Sequence, residues 1–228
     1  MRISQVLIIS FCISFYAMSA DNSLKEMPTD LKSGDPDNGS QLVQTCAACH
    51  GQDGNSINTE WPNLAGQNQK YLYEQLLYFK SGDRNNVLMM SVTPYLNSIS
   101  DEEILDIAAY YASQKSNIGQ AKDDPDLLKL GQALYRNGNL EKGIPACTSC
   151  HSVYGDGNSQ AGFPAIAGQQ VGYLISTLKA YRSEERNAGE QALVMQSIAK
   201  NLNDQEIDAL SNYMHCLLYT SDAADDRS

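Results

Sequence analysis

One short motif, Cys-x-x-Cys-His, occurs twice in the chain and constrains its fold more than any other feature. The motif stands at residues 46–50 and again at residues 147–151. A second segment follows each copy, since Trp-Pro-Asn-Leu-Ala-Gly-Gln at 61–67 matches Phe-Pro-Ala-Ile-Ala-Gly-Gln at 163–169. Repetition at one near-constant offset is the signature of tandem homologous domains. The polar stretch Gln114–Asp126 between the two copies is the predicted linker.

The hydrophobic pattern of both repeats predicts helices. Leu72, Leu76 and Phe79 fall at i, i+4 and i+7, which places them on one face of a helix. Ser100 and Glu103 have the spacing of a capping box at the start of a further helix. Because no clear alternating strand pattern occurs, we expect an all-α fold. The second repeat has the same two features, carried by Leu174, Leu178, Tyr181, Asn203 and Glu206.

The two ends of the chain lie outside this repeat. Met1–Ala20 combines a basic Arg2, a short apolar run and small residues, which is typical of a secretory signal, with a retained anchor as the alternative. Residues 216–228 show no helical period, so we expect either a non-native addition or a short disordered tail. The predicted domains are residues 21–117 and 118–215, in a protein exported to an oxidising, periplasm-like compartment.

Four cysteines remain between these ends, in two pairs that each precede a histidine. The thiols of Cys46 and Cys49, and those of Cys147 and Cys150, are one helical turn apart, so each pair can reach both vinyl groups of one porphyrin. A zinc site built from two Cys-x-x-Cys pairs usually has about 15–20 residues between them, far fewer than here. A thioredoxin-like site would need a βαβ setting, and structural disulfides would need no histidine. We therefore predict two covalently attached haem c groups.

The histidine of each motif is the predicted first axial ligand of its iron. These two ligands are His50 and His151. The third histidine of the chain, His215, lies at the doubtful C-terminal end, so at most one iron can have two histidine ligands. Methionine is the usual alternative as second axial ligand.

Methionines at matching positions supply that second ligand. Residues 88–90 align with residues 193–195, and both triplets precede the last helix of their repeat. We therefore expect Met90 and Met195 to bind the two irons. Met89 competes with Met90 for this role. For each of these methionines the alternative is a purely structural role, in which the side chain fills space in the core.

Further residues that recur in both repeats are candidates for a supporting role. The carbonyl groups of Pro62 and Pro164 follow the motifs at the right point to accept the outer N–H of each histidine, although a proline there also suits simple loop geometry. Arg84 and Arg186 recur before the methionines and could pair with haem propionates. Solvated surface arginines are the alternative.

In these motifs the sequence resembles the cytochrome c4 family of dihaem electron carriers, and the resemblance extends over essentially all of residues 34–214. The resemblance rests on both haem motifs, the Pro-x-Leu/Ile-Ala-Gly-Gln segments and an insertion before the second haem motif. It implies two class I cytochrome c domains related by approximate two-fold symmetry, with haem propionates linked across their interface. It also implies the ligand pairs His50 with Met90 and His151 with Met195.

Composition and ligand set favour an electron carrier and not an enzyme. The chain has 16 basic and 27 acidic residues, a formal charge of −11, which argues against nucleic-acid binding by bulk charge. An iron with histidine and methionine ligands has no open position for a substrate. The resemblance implies a monomeric periplasmic protein that delivers electrons from a quinol-oxidising complex to a haem-copper terminal oxidase, with peripheral membrane association left open.

Three other functions are compatible with parts of the sequence. The chain could be the cytochrome subunit of a larger dehydrogenase, which changes the partner and leaves the haem chemistry unchanged. A dihaem peroxidase would need one iron that is open or opens during turnover. A structural zinc-binding module would use the same cysteines without haem.

Overall fold

The computed structural model of the protein describes residues 32–120 and 122–217, and these residues form two helical repeats. They contain ten α-helices and two short 3₁₀ turns, with no strand beyond two isolated bridges. The predicted signal segment, Met1–Ala20, lies outside the described residues. The helices of the first repeat are α1 (Pro36–Leu42), α2 (Gln44–His50), α3 (Gln69–Ser81), α4 (Thr93–Ser98) and α5 (Asp101–Ser113).

The second repeat contains helices in the same order. Helices α6, α7, α8 and α10 have the same positions relative to their haem motif as α1, α2, α3 and α5 have in the first repeat. The predicted all-α class with two tandem domains is confirmed. The helices are α6 (Pro125–Asn137), α7 (Thr148–His151), α8 (Val171–Arg182), α9 (Glu190–Ala199) and α10 (Asp204–His215).

Local signals in the sequence set the helix boundaries. Both predicted capping boxes are present: Ser100 and Asn203 accept the N–H of the residue three positions on, and the glutamate there accepts the N–H of the cap. Helix α3 ends at Gly82, which has φ +83, a conformation that favours glycine at a helix end. The apolar faces of α5 and α10 are buried, at Ile104, Ile107, Tyr111, Ile207, Leu210 and Met214.

The first and last helices of each domain cross at a glycine. A Cβ atom at Gly39 of α1 would overlap the carbonyl oxygen of Asp106 in α5. A Cβ atom at Gly131 of α6 would likewise overlap the carbonyl oxygen of Ala209 in α10. Because glycine has no side chain, the two helix backbones can approach closely, and this crossing fixes the frame on which each haem motif sits.

Two boundaries differ from those expected. Helix α6 begins at Pro125, with the side chain of Asp124 capping the N–H of Leu127, so the linker ends before the predicted Asp126. The second domain extends beyond the expected boundary at residue 215, because Leu217 is buried in its core beside Gly155. Periodicity failed here because a single buried side chain after a helix end has no pattern to detect. Residues 218–228 lie outside the described part of the chain.

None of the described helices combines the length and the apolar character needed to cross a bilayer.

The close crossing of α6 and α10 predicts a large effect of a small substitution. Gly131→Ala should force the two helices apart and lower the free energy of unfolding of the second domain by about 1–3 kcal/mol, the usual cost of overpacking. Thermal unfolding of the haem-loaded protein measures this loss. Lys129→Ala, at an exposed position of the same helix, is the matched control and should change stability by no more than about 0.5 kcal/mol. Equal stabilities of the two variants would contradict the close crossing.

Candidate haem-binding site

The two motif histidines are buried and held in the same way. The outer ring nitrogen of His50, Nδ1, lies 2.8 Å from the carbonyl oxygen of Pro62, and that of His151 lies 2.9 Å from the carbonyl oxygen of Pro164. With Nδ1 donating its proton, the other ring nitrogen is left unprotonated and able to bind a metal. Burial lowers the pKa of both histidines, which these hydrogen bonds partly oppose, and so favours the neutral ring.

The paired thiols lie in the turn of helix that ends at each histidine. Cys46 is buried and Cys147 is half-buried. Burial is the main cause that raises the pKa of each of these thiols to about 11, so both are held in the neutral form. Cys49 is exposed and Cys150 is half-buried. All four thiols line one cavity, as their predicted role requires.

A single cavity of about 590 Å³ joins the two motifs. Both histidines lie on its wall, together with the apolar side chains that α3, α5, α8 and α10 turn inward. These include residues whose positions match between the domains, namely Leu72, Leu76, Leu174 and Leu178. The apolar faces predicted for α3 and α8 therefore surround this cavity.

The structure separates the two candidate methionines of the first domain. Met89 lines the cavity and packs against the core residues Phe79 and Leu96. Met90 is 59 % exposed and lies outside the cavity wall, contrary to the expectation that it faces the iron. The reason is local, since residues 89–91 form a 3₁₀ turn in which neighbouring side chains point to different sides. Met195, in α9, lines the cavity as expected.

Arg186 is a buried cation at the boundary between the domains. It is 7 % exposed and donates hydrogen bonds to the hydroxyl of Tyr71 at 2.7 Å, to Gln75 Oε1 at 3.1 Å and to the hydroxyl of Tyr173 at 3.3 Å. Arg84 donates to the same Gln75 oxygen at 2.8 Å. Neither guanidinium forms an ion pair with a carboxylate in the described part of the chain.

Arg84 and Arg186 share an uncharged partner, Gln75, and this arrangement indicates a binding site for an anionic group. Burial of an unpaired charge is costly, so a pair of guanidinium groups without carboxylates fits a bound anionic group. The same cations act on Tyr173: burial raises its pKa, but the charges of Arg186 and Arg84 outweigh burial and lower the pKa below its ordinary value. The predicted arginines therefore lie together at the cavity, and Arg186 is no surface residue.

Reciprocal hydrogen bonds join the domains, and the sequence reading did not identify them. Gln67 Nε2 donates to the carbonyl of Ala165 at 2.7 Å, and its Oε1 accepts the N–H of Ala165 at 2.7 Å. Gln169 makes the same two bonds to Asn63, at 2.9 and 2.7 Å. Each glutamine amide pairs with the N–H and the C=O of one residue of the other domain, as a two-fold arrangement requires. The signal was present, because both glutamines end the repeated Pro-x-Leu/Ile-Ala-Gly-Gln segment.

His215 does not belong to the cavity. Its Nδ1 lies 2.9 Å from the carbonyl oxygen of Gln169, and its ring lies against Gly119. The structure therefore places the third histidine away from both motifs, which agrees with the expectation that methionine is the second ligand.

The residues at the cavity fit haem c. Each half supplies two thiols one turn apart, an imidazole whose outer nitrogen is already bonded, and a thioether. The interface adds two cations suited to propionates. Zinc would need its ligands gathered at one point, and no cluster of three or more histidine, cysteine or acidic residues that could hold a metal ion occurs among the described residues.

Comparison with known proteins gives one consistent family. The family model described as Cytochrome c matches residues 36–115 and again residues 128–217. Cytochrome c4 of Pseudomonas aeruginosa is 42% identical over 184 residues, which is 81% of this chain and 89% of that protein. The thiosulfate dehydrogenase electron acceptor of Thiomonas intermedia is 32% identical over 173 residues, 75% of this chain and 77% of that protein.

A solved structure supports the same relationship. The crystal structure of reduced recombinant cytochrome c4 from Pseudomonas stutzeri matches with a TM-score of 0.76 at 41% identity. The match covers 81% of this chain and all of that chain.

The glutamine pair predicts how the domains can be separated. Gln67→Ala with Gln169→Ala leaves the N–H and C=O groups of Asn63 and Ala165 without these partners, and each such group costs about 1–3 kcal/mol when buried. We expect a larger radius of gyration by small-angle scattering and faster proteolysis of the linker, with two haems still bound per chain. Gln52→Ala, at an exposed position, is the control and should behave as the unmodified protein. A scattering profile unchanged in the double variant would contradict the role given to the two amides.

Proposed function

The chain belongs to the cytochrome c4 family of dihaem cytochromes c, and from this premise we propose that it carries single electrons in the periplasm from a quinol-oxidising complex to a haem-copper terminal oxidase. Its relatives are electron carriers and not enzymes, and it binds haem c through Cys46 with Cys49 and through Cys147 with Cys150. The compartment, the two partners and the direction of flow belong to the proposal.

One observation carries the proposal, namely that both haem motifs open into a single cavity with a methionine on the wall of each half. Bound haem supplies reversible one-electron chemistry at its iron. A histidine and a methionine of each half lie on the cavity wall and would supply two ligands to each iron, which would leave the iron no open position for a substrate. Thioether with imidazole ligation favours the ferrous state and raises the potential, which suits delivery to an oxidase.

We assign the axial ligands as His50 with Met89 and His151 with Met195. The first pair revises the sequence-based choice of Met90, because Met89 is the methionine that lines the cavity. Pro62 and Pro164 hold the two imidazoles through their carbonyl groups.

Arg84 and Arg186 are proposed to hold the propionates of the haem pair. Their guanidinium groups converge on Gln75 from the two domains and have no carboxylate partner among the described residues. A bidentate donor suits a carboxylate, and a buried cation gains most from an anion brought beside it.

An exposed apolar rim supports electron exchange with proteins. Val87 and Leu88 line the cavity and yet are 87% and 59% exposed, and Val194 does the same in the second domain. Such a rim can dock on a partner while the acidic charge of the chain steers the approach to a basic surface.

A second function follows from the relative in Thiomonas intermedia, whose name states that it accepts electrons from a thiosulfate dehydrogenase. The present chain could accept electrons from such an enzyme in place of a quinol-oxidising complex. The haem sites would be unchanged, and the donor alone would differ.

Stopped-flow kinetics with membranes that contain a terminal oxidase test the proposed function. The reduced protein should be reoxidised, with a second-order rate that falls as salt is added. Val87→Asp should lower that rate severalfold because it places a charge on the rim, whereas Ile57→Asp should not, since Ile57 is fully exposed and lies outside the cavity wall. Failure of any oxidase to reoxidise the protein would contradict the proposal, and rapid reduction by a thiosulfate dehydrogenase with thiosulfate would favour the second function.

The ligand assignment predicts opposite results for two neighbouring variants. Met89→Leu should abolish the near-infrared sulfur-to-iron band of the first domain, because the thioether is lost. Met90→Leu, its matched control, should keep that band, since Met90 points to solvent. Loss of the band in Met90→Leu but not in Met89→Leu would identify Met90 as the ligand. Met195→Leu should remove the band of the second domain alone.

A further inference from the structure

A buried carboxylate at the shared cavity has no counterpart in the second domain. Glu74 of α3 is 5 % exposed and lines the cavity. The offset that aligns Tyr71 with Tyr173 places Ser176, an exposed residue of α8, at the matching position. The two halves of the site therefore differ by one buried acidic group.

The groups around Glu74 leave its charge only partly compensated. On its own helix, Lys70 Nζ lies 4.0 Å from Oε1 and also donates to the carbonyl of Gln160 at 3.2 Å. Tyr78, one turn further along, is neutral at ordinary pH because burial and the charge of Glu74 raise its pKa. From the second domain, Gly162 packs against the carboxylate and brings no charge.

Burial shifts the balance of Glu74 toward its neutral form. Removal from water raises the pKa of this carboxyl above its ordinary value of 4.5, and the nearby Lys70 opposes that rise. A carboxylate at a buried cavity also interacts with other charges more strongly than one in water, because the surrounding dielectric is low. Each iron would change by one charge on reduction, and the pKa of a carboxyl on the wall of the same cavity would respond to that change.

We propose that Glu74 binds a proton when the haem pair is reduced and releases it when the pair is oxidised. The redox partner supplies one electron, which converts a ferric iron to ferrous, and the solvent supplies one proton, which converts the carboxylate of Glu74 to the neutral acid. On oxidation the electron passes to the acceptor, and the proton returns to the solvent. This inference rests on the electron-carrier function and is independent of which partners serve it.

The coupling has a defined sign. A charged Glu74 stabilises ferric iron and lowers the reduction potential, whereas a protonated Glu74 does not. Because linkage is reciprocal, reduction raises the proton affinity of Glu74 by the same factor. The potential is therefore flat at low pH, falls as pH rises between the proton affinities of the oxidised and reduced protein, and becomes flat again. That interval lies above the ordinary carboxyl range, because burial raises the pKa.

Spectroelectrochemical titration of the haem-loaded full chain between about pH 5 and about pH 8 tests the proposal. The unmodified protein should show the fall, and Glu74→Gln should abolish it and raise the electron affinity at the high-pH end by up to about tenfold, equal to 59 mV for one electron. Glu141→Gln removes the same charge from an exposed residue outside the cavity wall, and should keep the fall. A flat profile in the unmodified protein, or an unchanged fall in Glu74→Gln, would overturn the proposal.

An infrared measurement on the unmodified chain covers the case in which Glu74→Gln does not fold. The reduced-minus-oxidised spectrum should contain a carboxylic acid band that shifts when glutamate is labelled with carbon-13 in its side-chain carboxyl. A band that does not shift with the label would belong to a propionate or an aspartate and would overturn the assignment. Neither measurement needs a partner protein, so failure of the proposed function in stopped flow and failure of this proposal are separate results.

Discussion

One peptide segment in each domain holds the axial histidine and the neighbouring domain at the same time. The carbonyl of Pro62 accepts the outer N–H of His50, and the next N–H, that of Asn63, donates to Gln169 of the other domain. A rotation of either domain would therefore strain the bond that orients an iron ligand. The arrangement is repeated, with Pro164, His151, Ala165 and Gln67 in the same roles.

The departures from two-fold symmetry make the two haem sites unequal. Glu74 is buried where the second domain has exposed Ser176. Met89 lies on a 3₁₀ turn, whereas Met195 lies within a helix. Because a charge alters the relative stability of ferric and ferrous iron, we expect the two sites to differ in electron affinity when Glu74 is ionised.

The sequence was sufficient to predict the repeat, the helix class and the haem motifs, since these depend on local spacing. The carbonyl of Pro62 lies within hydrogen-bond distance of His50, where the repeated position of the proline after the motif placed it. Alignment cannot separate the adjacent Met89 and Met90, whereas the 3₁₀ turn determines which of the two side chains lines the cavity. The pairing by Gln67 and the burial of Glu74 depend on contacts between distant segments, which no local pattern records.

The central claim is that the chain is built around two covalently attached haem groups that share one cavity. A pyridine haemochrome spectrum of the exported protein, combined with its intact mass, measures this most directly. We expect the spectrum of haem c with two haems per chain. The mass of the denatured chain should include both haem groups. One haem per chain, haem lost on denaturation, or bound zinc with no haem would contradict it.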